Sequence, residues 1–165
     1  MQRIFAVRWS EAIKPAPFCL EAKYPPVTVL ARMVEARLRV IYGDTDQMGV
    51  VYYANYFRYF EFARSEYFRA RGGSYREVER EGFLLPVIEA SCRYKSSARY
   101  DDVLLIRPSV SEVRRASLTF SYEVFREGEP SSLLCTGLTV HACVGRDGKP
   151  RRMPEVLTRF LEEGR

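Results

Sequence analysis

The sequence predicts an α+β fold, an antiparallel sheet wrapped around one long helix. Two patterns carry that reading. Apolar residues alternate with period two in several separate segments, and a stretch between the first and second of them repeats its apolar residues at helical spacing. The expected order is strand, long helix, then four strands in meander.

The first strand is VEARLRVIY, where Val34, Ala36, Leu38, Val40 and Tyr42 share one face and Glu35, Arg37 and Arg39 the other. Residues 43–49 interrupt the alternation. From Tyr53, YANYFRYFEFARSEYFRARGG sets Tyr56, Phe60, Ala63 and Tyr67 on one stripe, and Gly72 and Gly73 end the helix. FLLPVIEASCRYKSSARY reads as one long strand, with Pro86 marking an edge or a bend near its start. Asp101 and Asp102 form a turn into VLLIRPSVSEV, and SLTFSYEVF then places Leu118, Phe120, Tyr122 and Val124 on one face. A turn at 128–130 leads to LLCTGLTVHACV, and a turn at 146–150 precedes a short terminal helix around 154–161.

A chain of 165 residues with 47% hydrophobic content fills one core, so one domain is expected over 33–165. Residues 1–32, with Pro15, Pro17, Pro25 and Pro26 and no lasting period, read as an N-terminal extension or as a start assigned upstream of Met33. Charged residues interrupt every apolar run short of the roughly 18 residues of a membrane span, so no stable membrane insertion is expected. The N-terminus lacks the apolar run of a secretory signal, and a cytoplasmic location follows. Cys19, Cys92, Cys135 and Cys143 form no CxxC pair, and with His141 they make no zinc spacing; free, mostly buried thiols are expected, without metal or cofactor. The balance of 26 basic and 21 acidic residues favours anionic partners, but the basic residues are scattered, which argues against nucleic acid.

The segment GDTDQMGVVYYANYFRYFEFAR, residues 43–64, joins the first strand to the helix. Through Asp44, Asp46, Gly49, Tyr52, Tyr53, Asn55, Tyr56 and Glu61 it resembles the signature of the 4-hydroxybenzoyl-CoA thioesterase family, which includes the Tol-Pal-associated acyl-CoA thioesterases. Weaker similarity in YDDVLLI and VRRASLTF extends the likeness from Val34 onward. The resemblance implies a hotdog fold, an acyl-CoA substrate, no cofactor, and a homo-oligomer, either a dimer or a dimer of dimers forming a homotetramer. It implies Asp46 as the catalytic carboxylate, acting as nucleophile or general base, and the backbone N–H of Tyr53 as donor to the developing oxyanion. It also places Arg114 and Arg115 near the nucleotide phosphates of CoA, which suit forked guanidinium donors, with Arg151 and Arg152 as a second candidate pair. Tyr53 stands where the Tol-Pal-associated members carry histidine and the 4-hydroxybenzoyl-CoA enzymes tyrosine.

The residues support this chemistry in their own right. A carboxylate between a strand and an aromatic-rich helix is partly shielded from water, which preserves its reactivity; the plain alternative is an aspartate capping a turn. Tyr52, Tyr53 and Phe57 are expected to line a pocket for an aromatic or a short to medium aliphatic acyl group. Asp44 reads as a loop hydrogen-bonder, Gly49 as a backbone conformation that a Cβ would hinder, and Asn55 as a helix-start cap or a pocket donor. Glu61 reads as an ion-pair partner of Arg58 or Arg64, or as a substrate contact. His141 reads as a satisfied or exposed strand histidine. The competing reading is a non-catalytic acyl-CoA or acyl-carrier-protein binding module, which would not need Asp46.

Overall fold

The computed structural model describes residues 33–162, and the expected extension over 1–32 lies outside them. In chain order the elements are β1 (Ala36–Arg39), a 3-10 turn (Tyr42–Asp44), α1 (Asn55–Ala70), α2 (Tyr75–Arg80), β2 (Phe83–Leu84) and β3 (Val87–Tyr94). They continue with β4 (Val103–Val113), β5 (Ser117–Arg126), β6 (Glu129–Ala142), β7 (Val144–Gly145) and α3 (Glu155–Glu162). Five strands form an antiparallel sheet in the order β1-β4-β5-β6-β3, and β2 pairs with β7 beside it. The α+β architecture is the expected one.

The meander is not. Only β4, β5 and β6 follow one another across the sheet, while β3 lies beyond β6, paired from Val87↔His141 to Tyr94↔Cys135. β4 cannot take β3 as its neighbour because β1 already occupies that edge, from Ala36↔Ile106 to Arg39↔Val103. The long strand expected from Phe83 also splits. Pro86 offers no backbone donor to a ladder, so Phe83 and Leu84 pair with β7 before it and β3 begins after it. The polar stretch before β2 contains α2, which buries only Val78 and so shows no apolar stripe. β1 stops short of Tyr42, which the 3-10 turn leaves 78% exposed.

The core forms where α1 lies on the sheet. Tyr56, Tyr59, Phe60, Ala63, Tyr67 and Phe68 are buried on the helix, and Leu118, Phe120, Tyr122 and Val124 are buried on β5. Phe60 stacks on Tyr122 with ring centroids 4.4 Å apart, and Phe120 takes Tyr67 edge-on at 5.4 Å. The helix closes at Gly72, whose φ of 77° lets its own N–H reach Arg69 O while the N–H of Gly73 reaches Phe68 O.

A polar line crosses this core. Arg64 Nη1 donates to the Tyr122 hydroxyl at 3.4 Å, Tyr122 and Thr139 hydroxyls lie 2.9 Å apart, Thr139 Oγ1 is 2.9 Å from His141 Nε2, and His141 Nδ1 is 3.0 Å from Leu85 O. A carbonyl only accepts, so Nδ1 carries the proton, Nε2 accepts from Thr139, and Thr139 accepts from Tyr122. This direction holds while the ring is neutral. Burial, then the positive Arg64, lower the His141 pKa from 6.5 to about 4. The folded pKa is depressed, so this stability is fully present above pH 6.5 and is lost as the pH falls toward 4. Between pH 7 and 4.5 the loss expected from His141 is roughly 2 kcal/mol. Urea unfolding of the parent and of His141→Gln at both pH values should show a steeper acid loss in the parent; equal losses would remove His141 as the cause.

Candidate active site

Between β1 and α1 the chain folds into a closed loop. Thr45 and Val51 form an antiparallel bridge, Asp46 N–H donates to Val50 O at 2.9 Å, and Gly49 N–H donates back to Asp46 O at 2.9 Å. The tight turn needs the left-handed φ of 71° at Gly49, which a Cβ would strain. Asp46 Oδ1 accepts the N–H of Met48 at 2.8 Å, which orients the half-buried carboxylate, and Oδ2 has no hydrogen-bond partner among the described residues.

Asp44 anchors the loop to the helix. It is 3% exposed; Oδ2 accepts the Tyr59 hydroxyl at 2.8 Å and Oδ1 accepts Arg58 Nη1 at 3.0 Å. Its backbone oxygen accepts Tyr52 N–H and Asn55 Nδ2, each at 2.9 Å. Burial, then Asp44, push the Tyr59 hydroxyl far above the usual tyrosine range and keep it a donor. Asn55 is thus the first helical residue and a brace for the loop, while Ala54 holds the cap position without a side-chain bond. Because Arg58 turns to Asp44 and Arg64 to Tyr122, the ion pair expected for Glu61 does not form, and Glu61 stays exposed on α1.

The helix starts at Asn55, two residues later than the sequence suggests. Tyr52 O accepts Asn55 N–H at 2.9 Å, Tyr53 O accepts Tyr56 N–H at 3.4 Å, and Ala54 O accepts Phe57 N–H at 3.2 Å. The N–H groups of Tyr53 and Ala54 take no acceptor among the described residues. They stand at the positive end of the helix dipole. Around them Tyr52, Tyr53 and Met48 are 44%, 59% and 77% exposed, with the two tyrosine rings 4.5 Å apart. The Tyr52 hydroxyl is pushed up by Tyr53 first and, after burial, by the negative charge of Asp46. Phe57 is half-buried, edge-on to Phe60 at 5.9 Å.

Arg114 and Arg115 lie elsewhere. They follow β4 and line a cleft of about 420 Å³ with Arg152, Met153, Glu155 and Thr158. Arg114 pairs with Glu112 at 2.7 Å, and Arg151 with Asp147 at 2.9 Å. The Asp46 loop packs at the opposite end of β4, through Val51 N–H to Ala98 O and Val40 N–H to Asp102 O. At about 3.3 Å per residue, β4 separates the two places by roughly 30 Å. One chain therefore brings together Asp46, Tyr52, Tyr53 and Asn55, with Phe57, packed against the core, and Glu61 further along the helix and the arginine pair remote. Sequence reasoning missed Tyr94, whose hydroxyl donates to Tyr53 O at 2.9 Å across 41 residues; no local pattern signals it.

The family model described as the thioesterase superfamily matches residues 48–132. An acyl-CoA thioesterase, YbgC, of Haemophilus influenzae is 37% identical over 109 residues, covering 65% of this chain and 77% of its own. The 4-hydroxybenzoyl-CoA thioesterase of Pseudomonas sp. strain CBS-3 is 30% identical over 138 residues, covering 81% of this chain and 98% of its own. A crystal structure of an aspartate-to-asparagine mutant of 4-hydroxybenzoyl-CoA thioesterase, complexed with 4-hydroxybenzoyl-CoA, is 26% identical with a TM-score of 0.70, covering 80% of this chain and 100% of that one. A closed aspartate loop at the head of a helix wrapped by an antiparallel sheet, and these likenesses over most of the chain, agree: the chain belongs to the thioesterase superfamily and has the hotdog fold.

Proposed function

We propose that the chain hydrolyses an acyl-CoA thioester to a carboxylate and free CoA in the cytoplasm, with Asp46 as nucleophile on the thioester carbonyl or as base for the attacking water. The observation that carries this reading is an Asp46 carboxylate with one oxygen unpartnered among the described residues, on the same loop as the Tyr53 and Ala54 N–H groups, which likewise take no acceptor among them. A carbonyl oxygen seated on the Tyr53 N–H gains negative charge as the carbon is attacked, and a fixed donor stabilises that charge more than it stabilises the ground state. Collapse of the tetrahedral intermediate expels the CoA thiolate. Direct attack leaves an acyl–aspartyl anhydride that water opens, whereas base catalysis passes the water's proton to Asp46; both end in the same products. The substrate complex of a relative carrying asparagine for aspartate fits a carboxylate needed for turnover. Tyr52, Tyr53 and Phe57 line the acyl side, Asn55 holds the loop in register, and Glu61 faces the substrate.

Arg114 and Arg115 then serve the CoA phosphates of a substrate held by another chain, since roughly 30 Å parts them from their own Asp46. This requires at least a dimer, which would also cover the outer edge of β3, whose only partner strand among the described residues is β6. A panel of aromatic and aliphatic acyl-CoA thioesters, assayed for released thiol, tests the reading; binding without release from any of them would favour a non-catalytic module. Replacing both arginines with glutamine is expected to raise KM for acyl-CoA by about tenfold or more and to leave a pantetheine thioester nearly unaffected. Equal changes for both substrates would place the pair outside the phosphate site.

A further inference from the structure

Tyr94 ends β3, opposite Cys135 of β6, and its ring meets Tyr56 edge-on at 5.2 Å. This packing aims its hydroxyl at the Tyr53 carbonyl, 2.9 Å away. That oxygen belongs to the peptide unit whose nitrogen is Ala54 N. The amide is conjugated, so a donor on its oxygen draws density from its nitrogen and strengthens the N–H as a donor in turn. The preceding peptide, which carries the Tyr53 N–H, is treated the same way by the Asn55 N–H on Tyr52 O at 2.9 Å. The two open N–H groups therefore belong to successive peptides whose oxygens are both engaged. The first peptide is held by the start of the helix. Among the described residues the second has only a 3.4 Å bond from Tyr56 N–H besides Tyr94.

We propose that Tyr94 is a positioning residue for thioester hydrolysis: its hydroxyl orients and polarises the Tyr53–Ala54 peptide, so that the Ala54 N–H joins the Tyr53 N–H as a second donor to the thioester carbonyl oxygen. The inference rests on the thioesterase reading above. Burial, then Cys92, push the Tyr94 hydroxyl well above the usual tyrosine range, so it stays protonated and able to donate. Phenylalanine at 94 keeps the ring against Tyr56 and removes only the donor.

The test uses the full chain. Tyr94→Phe is expected to lower kcat about tenfold, with KM within about twofold and the thermal midpoint nearly unchanged. In the Asp46→Asn background, which holds substrate without turnover, the infrared carbonyl stretch of a bound carbon-13-labelled thioester should move back toward its value in water when Tyr94→Phe is added. A purely structural role would not move that band, and the band reports polarisation even where the variant is less stable. An active parent with unchanged kcat in Tyr94→Phe, or a lower kcat with an unmoved band, overturns the role of Tyr94 alone. A parent that releases no thiol from any acyl-CoA overturns the thioesterase reading, and this inference with it.

Discussion

Asp46→Asn is expected to reduce kcat by at least about a thousandfold, equivalent to roughly 4 kcal/mol of barrier, with little change in thermal stability. The asparagine carbonyl still accepts the Met48 N–H that Asp46 Oδ1 accepts at 2.8 Å, so the turn survives. The side chain is only half-buried, and Oδ2 has no bond among the described residues for the amide to break. What is lost is the reacting group, because an amide neither attacks a thioester usefully nor takes a proton from water at neutral pH. Thiol release measured alongside circular dichroism separates chemistry from folding. Turnover within about threefold of the parent would remove Asp46 from the mechanism.

Asp44→Ala should act on stability instead. It leaves the hydroxyl of Tyr59, a residue 1% exposed, without its acceptor and frees Arg58 from its partner. Arg58 is largely exposed and its side of the pair contributes little. The stranded Tyr59 hydroxyl dominates, at about 3 kcal/mol, or roughly 10 °C in Tm for a domain of this size. Asp44→Asn keeps an acceptor for Tyr59 and should lose about half as much. Calorimetry of the two variants decides it: a loss below about 1 kcal/mol in Asp44→Ala would mean that the loop is held by other contacts.

These two aspartates show what the sequence makes legible. Both stand out in GDTDQMG, and only in three dimensions are they separated: Oδ2 of Asp46 has no partner among the described residues, whereas the Asp44 carboxylate is held by Tyr59 and Arg58. The stripe Tyr56, Phe60, Ala63, Tyr67 and the face Leu118, Phe120, Tyr122, Val124 are readable because each element buries one side only. Strand order is not, since a period of two says which face is buried and nothing about which strand lies alongside; the exchange of β3 to the far side of β6 comes from β1 occupying the edge of β4. Arg58 shows a different limit. Helical spacing offers it Glu61, but a desolvated carboxylate needs a cation more than an exposed one does, and buried Asp44 takes it. The start of α1 is not legible, because Tyr53 and Ala54 suit a helix by composition, whereas the turn that closes Tyr52 O onto Asn55 N–H decides where it begins.

The polar line from Arg64 through Tyr122, Thr139 and His141 to the Leu85 carbonyl runs in one direction, each group donating to the next. Descent with modification must respect that direction. Valine at 139 would leave the Tyr122 hydroxyl proton without its acceptor and the Nε2 of His141 without its donor, and leucine at 141 would leave Thr139 and the Leu85 carbonyl to find new partners. Each single step passes through a buried, unpaired group that costs roughly 1–3 kcal/mol, a large share of what a small domain has to spare. Replacing the side chains of the whole line by apolar residues of matching volume avoids that penalty for the side chains, though not for the Leu85 carbonyl, and only when the changes arrive together. Across a lineage these positions should accordingly be inherited as a block, kept or lost as one, while the exposed residues of the same strands drift independently.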